Sequence, residues 1–143
     1  MPRVEIELPE RFAFETEIPI RVTDLNYGGH LGNDAVLGIV HEARVRLLAA
    51  HGWSEKDAGG AGIILADAAI VYRAEGFLGM VLRAEVAVRE LRTRSCEMVY
   101  RLTDRKTGAE IARAKTGILF FDYATRRVTH LPEPFRAAFA EAP

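Results

Sequence analysis

One short segment concentrates the polar side chains that could do chemistry. The stretch Arg21–Asp34 carries four hydrogen-bonding side chains, Asp24, Asn26, His30 and Asn33. It lies between an apolar strand pattern and an apolar helix pattern, and its glycines let the backbone approach a ligand closely. The unpaired N–H groups and the dipole of a helix start favour negative charge. A carbonyl oxygen placed there would be polarised, and the oxyanion of an acyl transfer would be stabilised.

Asp24 is the carboxylate of this segment, and two chemical roles are open to it. It could act as a general base that activates water, or as a nucleophile that forms an anhydride. A purely structural reading also accounts for the same residues. Asp24, Asn26 and Asn33 could complete the turn and cap the helix, because turns and caps use these residue types.

The elements that must position this segment follow from hydrophobic periodicity. A period of two from Phe12 to Val22 predicts a strand with one buried face. A helical period begins near Asn33, with Asn33 or Asp34 as its cap and Gly52 just after its end. The helix is apolar over much of its girth, which is typical of a helix buried by its surroundings. Four further strands are predicted over Gly62–Arg73, Val81–Arg92, Ser95–Thr103 and Glu110–Asp122.

This order predicts a single α+β domain over residues 1–143, in which an antiparallel sheet curves around one central helix. The turn Asp104–Gly108 joins two of its strands, and the proline-containing C-terminal tail predicts a short helix at most. One such sheet leaves its edge strands open. We therefore expect pairing with a second copy, as a homodimer or homotetramer.

The amino-acid composition limits the kinds of molecule that we expect the protein to bind. The 143 residues are 49% hydrophobic and 27% charged, which is a globular balance. The formal net charge of −1 gives no field that would attract nucleic acid or a membrane surface. The single cysteine, Cys96, excludes an internal disulfide framework and fits a reducing compartment. With no signal-peptide pattern and no apolar run long enough to span a membrane, we expect a cytoplasmic location.

The pattern of strand, TDLNYGGHLGND loop, long helix and four strands resembles the hotdog-fold acyl-CoA thioesterases of the 4-hydroxybenzoyl-CoA thioesterase-like superfamily. The residues that carry the resemblance are Asp24, the segment Gly29–Asn33 and Glu42-Ala43-Arg44 on the helix. A later match is Tyr72-Arg73 followed by the turn Gly76–Gly79. The resemblance implies a hotdog fold and hydrolysis of a small-molecule acyl thioester to the free acid and coenzyme A.

The resemblance also implies the composition of the site. The carboxylate would be Asp24, lined by Asn26, His30 and Asn33, with helix-start amides binding the thioester carbonyl at a dimer interface. Tyr27, Gly28 and Gly29 would contact the substrate. No separate cofactor is implied, because coenzyme A is part of the substrate. The chain departs from the family pattern at Gly32 and on the helix at Leu37 and Gly38, where relatives carry asparagine and an aromatic residue.

Several residues outside the segment are further candidates. Asp67 interrupts an apolar strand, so its carboxylate must be paired or face the site. Arginine side chains suit phosphate oxygens, and the predicted strand ends carry three of them, Arg73, Arg92 and Arg94.

Other features favour structural roles. For Glu42 we favour a buried ion pair with a nearby arginine over catalysis. His41-Glu42 does not complete a zinc motif, because Val45 stands where the second histidine is needed, and no metal site is predicted. Cys96 lies on the apolar face of its strand and is expected to be inert.

Two other functions remain open. A hydratase acting on enoyl-CoA shares the fold, but its loop resembles Asp-x-Asn-Pro-x-His, and here the proline is missing and His30 is one residue later. A non-catalytic acyl-CoA-binding module is the third possibility, because a fold does not dictate a function. No helix-turn-helix or basic extension points to a DNA-binding regulator.

Overall fold

The computed structural model describes residues 3–140 and contains one long helix and one antiparallel sheet. After β1 the chain forms a short 3₁₀ turn at Val22–Asp24 and then the long helix. In chain order the elements are β1 (Phe14–Pro19), α1 (Asn33–Ala50), β2 (Gly62–Tyr72), β3 (Val81–Arg89), β4 (Ser95–Asp104), β5 (Glu110–Asp122), β6 (Arg127–Val128) and α2 (Glu133–Phe139).

The sheet has the strand order β1-β3-β4-β5-β2, with β6 paired to the end of β5. Its strands alternate buried and exposed residues, and the buried side chains of β3, β4 and β5 form one core with α1. The expected α+β architecture, a curved antiparallel sheet around one central helix, is confirmed.

The predicted strand bounds are accurate except at the first strand. Glu110–Asp122 is reproduced, and the other three late strands end within three residues of the prediction. The first strand was predicted to reach Val22, which is wrong. The strand ends at Pro19, and Val22 is an exposed residue of the 3₁₀ turn. The difference matters for the site, because this turn positions Asp24.

The start of α1 also differs from the prediction. Its N-cap is Gly32, and no side chain caps the helix, so the expectation that Asn33 or Asp34 would do so is wrong. The other end follows the prediction. His51 is the C-cap, and Gly52 comes next with a φ of 76°, the left-handed conformation in which helices commonly end.

Only one face of α1 is buried within a single chain. Seven of its residues are buried, whereas Leu37 and Val45 are exposed on the opposite face together with Gly38. The apolar girth of the helix predicted that its surroundings bury it, and within one chain they bury only this one face.

A polar chain of contacts crosses the core and ties α1 to the sheet. The buried Arg44 donates hydrogen bonds to Glu55 (3.3 Å) and to the hydroxyl of Tyr100 (3.2 Å). That hydroxyl lies 2.8 Å from Oγ1 of the fully buried Thr116. Every buried polar atom in this set has a partner, so the network fixes the position of the helix without an unpaired charge.

The C-terminal tail contributes more to the core than the sequence indicates. The short helix α2 is confirmed, and its Phe135 is fully buried against Phe120 with ring centroids 4.9 Å apart. Trp53 stacks on Phe135 and packs against this end of the core. Among residues 3–140, no helix is long and apolar enough to cross a membrane.

The two edge strands differ in how they are protected. The β1 edge carries Pro19 and two charged side chains, Glu15 and Glu17, which pair with arginines. The β2 edge contains no proline and no cation, and Leu65 is exposed on it. Prolines and charges are the usual means by which natural sheets block pairing at an edge. The β2 edge therefore remains available to a further strand.

The one charge on β2, Asp67, is explained by a β-bulge. The pairing of β2 with β5 shifts register between Leu65 and Asp67, and the Asp67 carboxylate accepts the N–H of Gly117 at 3.0 Å. Gly117 alternates with the buried Thr116 and Ile118, so Asp67 lies on the side of the sheet opposite α1. A Cβ at position 117 would come within 2.5 Å of the carboxylate, which explains the glycine.

Cys96 provides a test of the core. It is buried on β4, as expected, and burial, with a smaller contribution from the Glu97 charge, raises the pKa of its thiol to about 12. We expect the native protein at pH 8 to react with a disulfide thiol reagent far more slowly than the denatured protein, because the thiolate is the reactive form. Absorbance of the released chromophore measures both rates, and equal rates would contradict the burial.

Candidate active site

Backbone hydrogen bonds fix the loop that leads from β1 into α1. Leu31 donates its N–H to the carbonyl of Gly76 (2.8 Å), and Gly32 donates to the carbonyl of Asp24 (2.9 Å). The turn 73–79 approaches closely enough that a Cβ at Gly76 would lie 2.8 Å from Cδ1 of Ile20. A side chain at position 76 would therefore require Ile20 to move, and the two hydrogen bonds join the loop to this turn and to the Asp24 carbonyl.

The Asp24 carboxylate is buried and bound to Arg21. Its Oδ2 accepts the backbone N–H of Arg21 at 2.8 Å and Nε at 3.3 Å, and its Oδ1 accepts Nη2 at 3.2 Å. The Asp24 side chain is 8% exposed, whereas that of Arg21 is 70% exposed. The i,i+3 spacing across the 3₁₀ turn creates this pair, and both carboxylate oxygens are engaged.

These contacts determine the protonation state of Asp24. Burial alone would raise the pKa of its carboxyl, but the hydrogen bonds and the charge of Arg21 outweigh burial, so the pKa lies below its usual range. The carboxylate is therefore ionised at neutral pH. A low pKa makes it a weak proton acceptor there, because general bases work best with a pKa near the operating pH.

Asn26 and His30 form a second cluster around Gly28. Oδ1 of Asn26 accepts the N–H of Gly28 at 2.9 Å and that of His30 at 3.4 Å. Nδ2 of Asn26 lies 3.5 Å from Nδ1 of His30. A Cβ at Gly28 would be 3.3 Å from Nε2 of His30, so the imidazole lies directly over this part of the loop. The loop tip beyond it, Tyr27, is fully exposed.

The first turn of α1 presents free N–H groups next to this cluster. Within residues 3–140, no hydrogen-bond acceptor is found for the backbone N–H of Asn33, Asp34 or Ala35, and Gly32 supplies no side-chain cap. Asn33 is exposed, and its carbonyl accepts the hydroxyl of Tyr72 at 3.1 Å. The end of β2 is thus attached to the helix start, and an acceptor oxygen from a ligand could take the free N–H groups.

The structure divides the predicted site residues into two groups. The first group lies together on the loop and the helix start and consists of Asp24, Asn26, Tyr27, Gly28, Gly29, His30 and Asn33. Arg73 follows Tyr72 at the same end of β2. Asp67 lies on the other side of the sheet. Arg92 and Arg94 lie in the β3–β4 turn, at the opposite end of the sheet from the helix start.

The other candidates take structural contacts. Glu42 makes an ion pair, but with Arg46 at 2.9 Å on the surface of α1, so the expected buried pair is wrong within one chain. His41 lies 2.6 Å from Oε1 of Glu55. Among residues 3–140, no cluster of three His, Cys, Asp or Glu side chains is arranged to hold a metal ion.

Three features of the site were missed from the sequence. These are the pairing of Arg21 with Asp24, the position of Gly32 as an N-cap that has no side chain to cap the helix, and the contact of Tyr72 with Asn33. The first had a readable signal, the spacing of Arg21 and Asp24 by three residues. The contact of Tyr72 with Asn33 had none, because it joins residues 39 positions apart in the chain.

Solved structures of similar fold include thioesterases. The 1,4-dihydroxy-2-naphthoyl-CoA thioesterase Slr0204 from Synechocystis aligns with a TM-score of 0.81 and 21% identity, over 91% of this chain and 98% of that one. A thioesterase-superfamily protein from Jannaschia sp. CCS1 aligns at 0.80 and 20% identity, over 92% and 83%. A thioesterase from Thermus thermophilus, complexed with coenzyme A and zinc, aligns at 0.78 and 22%, over 92% and 95%.

At these identities the alignments establish the fold alone. The antiparallel sheet curved around one central helix is the hotdog fold. The sequence model of the thioesterase-like superfamily matches residues 20–139, which include the loop, α1 and all strands from β2 onward. The chain belongs to this superfamily of thioester hydrolases. A search of curated protein sequences gave no significant match.

The Arg21–Asp24 pair predicts how stability responds to acid. Because the pKa of Asp24 is lowered by folding, its contribution to stability is present above the unfolded value of about 3.9 and is lost as pH falls through the folded value. Urea unfolding at pH 7 and pH 3 should therefore show a smaller loss of stability for Asp24→Asn than for the wild type. The Arg21→Gln variant should show the same reduction, and an unchanged loss in both variants would contradict the pairing.

Proposed function

We propose that the protein hydrolyses an acyl-CoA thioester to the free acid and coenzyme A. The observation that carries this proposal is the uncapped start of α1 beside a buried, ionised carboxylate. Free N–H groups at Asn33, Asp34 and Ala35 suit the carbonyl oxygen of a thioester, whose negative charge grows in the transition state. The helix start would therefore polarise the thioester carbonyl, and the Asp24 carboxylate supplies an anion held in place beside it.

The lowered pKa of Asp24 favours one of its two possible roles. An ionised carboxylate of low basicity suits nucleophilic attack better than proton abstraction from water. In this mechanism a carboxylate oxygen bonds to the acyl carbon, the carbon–sulfur bond breaks, and coenzyme A leaves as a thiolate that takes a proton from solvent. Water then cleaves the anhydride, which releases the acid and restores Asp24.

Arg21 acts on this step through Asp24. It holds both carboxylate oxygens, so one of its hydrogen bonds must be released before an oxygen can attack. The exposed guanidinium has room to move, because most of its surface contacts solvent. We propose that Asn26 and His30 orient the loop and the thioester, while Tyr27, Gly28 and Gly29 contact the substrate. Arg73, at the same end of β2, is the proposed phosphate contact nearest the acyl carbon.

We propose that the working unit is a homodimer in the cytoplasm, formed along the open β2 edge, with a homotetramer as the higher assembly. A second β2 strand would continue the sheet and satisfy the backbone groups of this edge. It would also bring a second copy toward the exposed face of α1, with Leu37 and Val45. Coenzyme A enters as part of the substrate, and the proposal requires no other cofactor, nucleic acid or membrane.

The catalytic proposal is tested by thiol release from a panel of aliphatic and aromatic acyl-CoA substrates. Because Asp24 supplies the attacking oxygen, Asp24→Asn should lower kcat by at least about 100-fold. Glu15→Gln is the matched control, since Glu15 is also paired with an arginine but lies on β1 away from the helix start. It should leave kcat unchanged.

Other outcomes decide between the alternatives. Equal rates for wild type and Asp24→Asn would remove the proposed role of the carboxylate. Hydration of crotonyl-CoA without thiol release would support the hydratase. Tight binding of acyl-CoA with neither reaction would support the binding module.

The dimer proposal is tested by light scattering coupled to size-exclusion chromatography. The wild type should have twice the chain mass of 15.9 kDa. Leu65→Lys places a cation on each β2 edge near the two-fold axis, so like charges repel and the mass should fall toward one chain. Val128→Lys is a matched control, because Val128 is 44% exposed and Leu65 is 43% exposed. A dimer that survives Leu65→Lys would place the interface elsewhere.

A further inference from the structure

Asp34 places a second carboxylate at the start of α1. It is the second residue of the helix, and its Oδ1 reaches back so far that a Cβ at Gly32 would lie 2.8 Å from it. The same point above Gly32 is 3.6 Å from the carbonyl oxygen of Asp24 and 3.7 Å from Cβ of Asn26. The Asp34 carboxylate therefore lies where the loop, the 3₁₀ turn and the helix start meet.

Within the part of the chain that the structure describes, the Asp34 side chain has no hydrogen-bond donor and no cation as a partner. The residue is exposed. Asp24 differs in this respect, because Arg21 engages both of its carboxylate oxygens. Asp34 therefore keeps oxygen lone pairs with which it can accept a proton from a bound molecule.

Gly32 provides the space for this carboxylate. Its φ of −72° is one that any residue adopts, so the backbone does not require a glycine at this position. The other atoms around a Cβ at Gly32 would be at ordinary contact distances, and only Oδ1 of Asp34 would be too close. The absence of a side chain at position 32 is thus explained by the position of the Asp34 carboxylate.

The charge of Asp34 is compatible with the site. An anion in the first turn of a helix is stabilised by the helix dipole and by the free N–H groups there. The charge of Asp24 is balanced by Arg21, so Asp34 does not face an unpaired like charge on that residue. Both carboxylates can therefore lie at one helix start.

The proposed mechanism needs a base in its second half. The water that cleaves the anhydride must lose a proton, and Asp24 cannot accept it, because its carboxylate is then part of the anhydride. The acyl oxygen would be bound by the N–H groups of Asn33, Asp34 and Ala35, which belong to the same helical turn as the Asp34 carboxylate. A base for the water is needed at this turn, and Asp34 is a carboxylate that lies on it.

We propose that Asp34 is the general base for hydrolysis of the acyl anhydride on Asp24, an inference that rests on the proposed function. The oxygen of a water molecule bonds to the acyl carbon while one of its protons passes to Asp34. The bond between the acyl carbon and the Asp24 oxygen then breaks, and its electron pair stays with Asp24. The free acid leaves, and Asp34 returns the proton to solvent.

The test follows release of coenzyme A from an acyl-CoA substrate after rapid mixing. Asp34→Asn should release about one equivalent per chain in a burst and then proceed at least about 100-fold more slowly than the wild type, because only the second step needs the base. Hydroxylamine, which attacks an anhydride without a base, should restore the slow phase and yield the acyl hydroxamate. Glu42→Gln removes a carboxylate from the same helix about two turns further on and should behave as the wild type.

A second variant moves the carboxylate without removing it. Gly32→Ala adds a methyl group whose one tight contact is with Oδ1 of Asp34, and this carboxylate can rotate away. We expect the same burst and a slow phase at least about tenfold below the wild-type rate. Gly32→Ala/Asp34→Asn should be no slower than Asp34→Asn, because both changes act on one group. Additive losses would contradict this contact.

The outcomes distinguish this inference from the proposed function. A wild type that releases no thiol from any acyl-CoA would overturn the thioesterase. If the wild type is active and Asp24→Asn is not, a normal steady rate for Asp34→Asn would assign the proton to another group, such as His30, and overturn the role of Asp34. Slow release without a burst would overturn it as well, because Asp34 would then act before the anhydride forms.

Discussion

The hydrogen bond from the Gly32 N–H to the Asp24 carbonyl sets the geometry of the whole site. It joins the 3₁₀ turn, which fixes Asp24 against Arg21, to the first residue before α1. Because Gly32 has no side chain to cap the helix, the N–H groups beyond it remain free for a ligand. Carboxylate and helix dipole are thus positioned by the backbone, and the core contacts of α1 through Arg44 and Tyr100 keep that backbone in place.

The described part of a single chain exposes apolar residues in two places, one at a sheet edge and one on the outer face of α1. The β2 edge exposes apolar residues without a proline or a cation, and the outer face of α1 exposes Leu37 and Val45. The β1 edge shows that this chain can block an edge, since Pro19, Glu15 and Glu17 do so there. This asymmetry between the two edges is the physical basis of the proposal that two chains pair along β2.

The periodicity of apolar residues predicted those parts of the fold that depend only on neighbouring residues in the chain. Alternation predicted both ends of β5 and placed Cys96 inside the core, because a strand repeats every two residues. The polar segment marked the candidate site, but the N-cap position at Gly32 and the pairing of Arg21 with Asp24 depend on the 3₁₀ turn that follows the strand. The burial of Phe135 in the tail and the exposure of half of α1 depend on tertiary packing, which periodicity does not contain.

The extra residue at the β2 bulge restricts which strands can join this edge. Asp67, folded back onto Gly117, fixes the kink to one place in the strand, so the alternation of side chains changes phase there. A second copy fits only where its own kink matches, since a slip by one residue would turn every apolar side chain to the wrong face. In the proposed β2 dimer, this bulge would favour pairing with an identical strand over pairing with a strand of regular pleat.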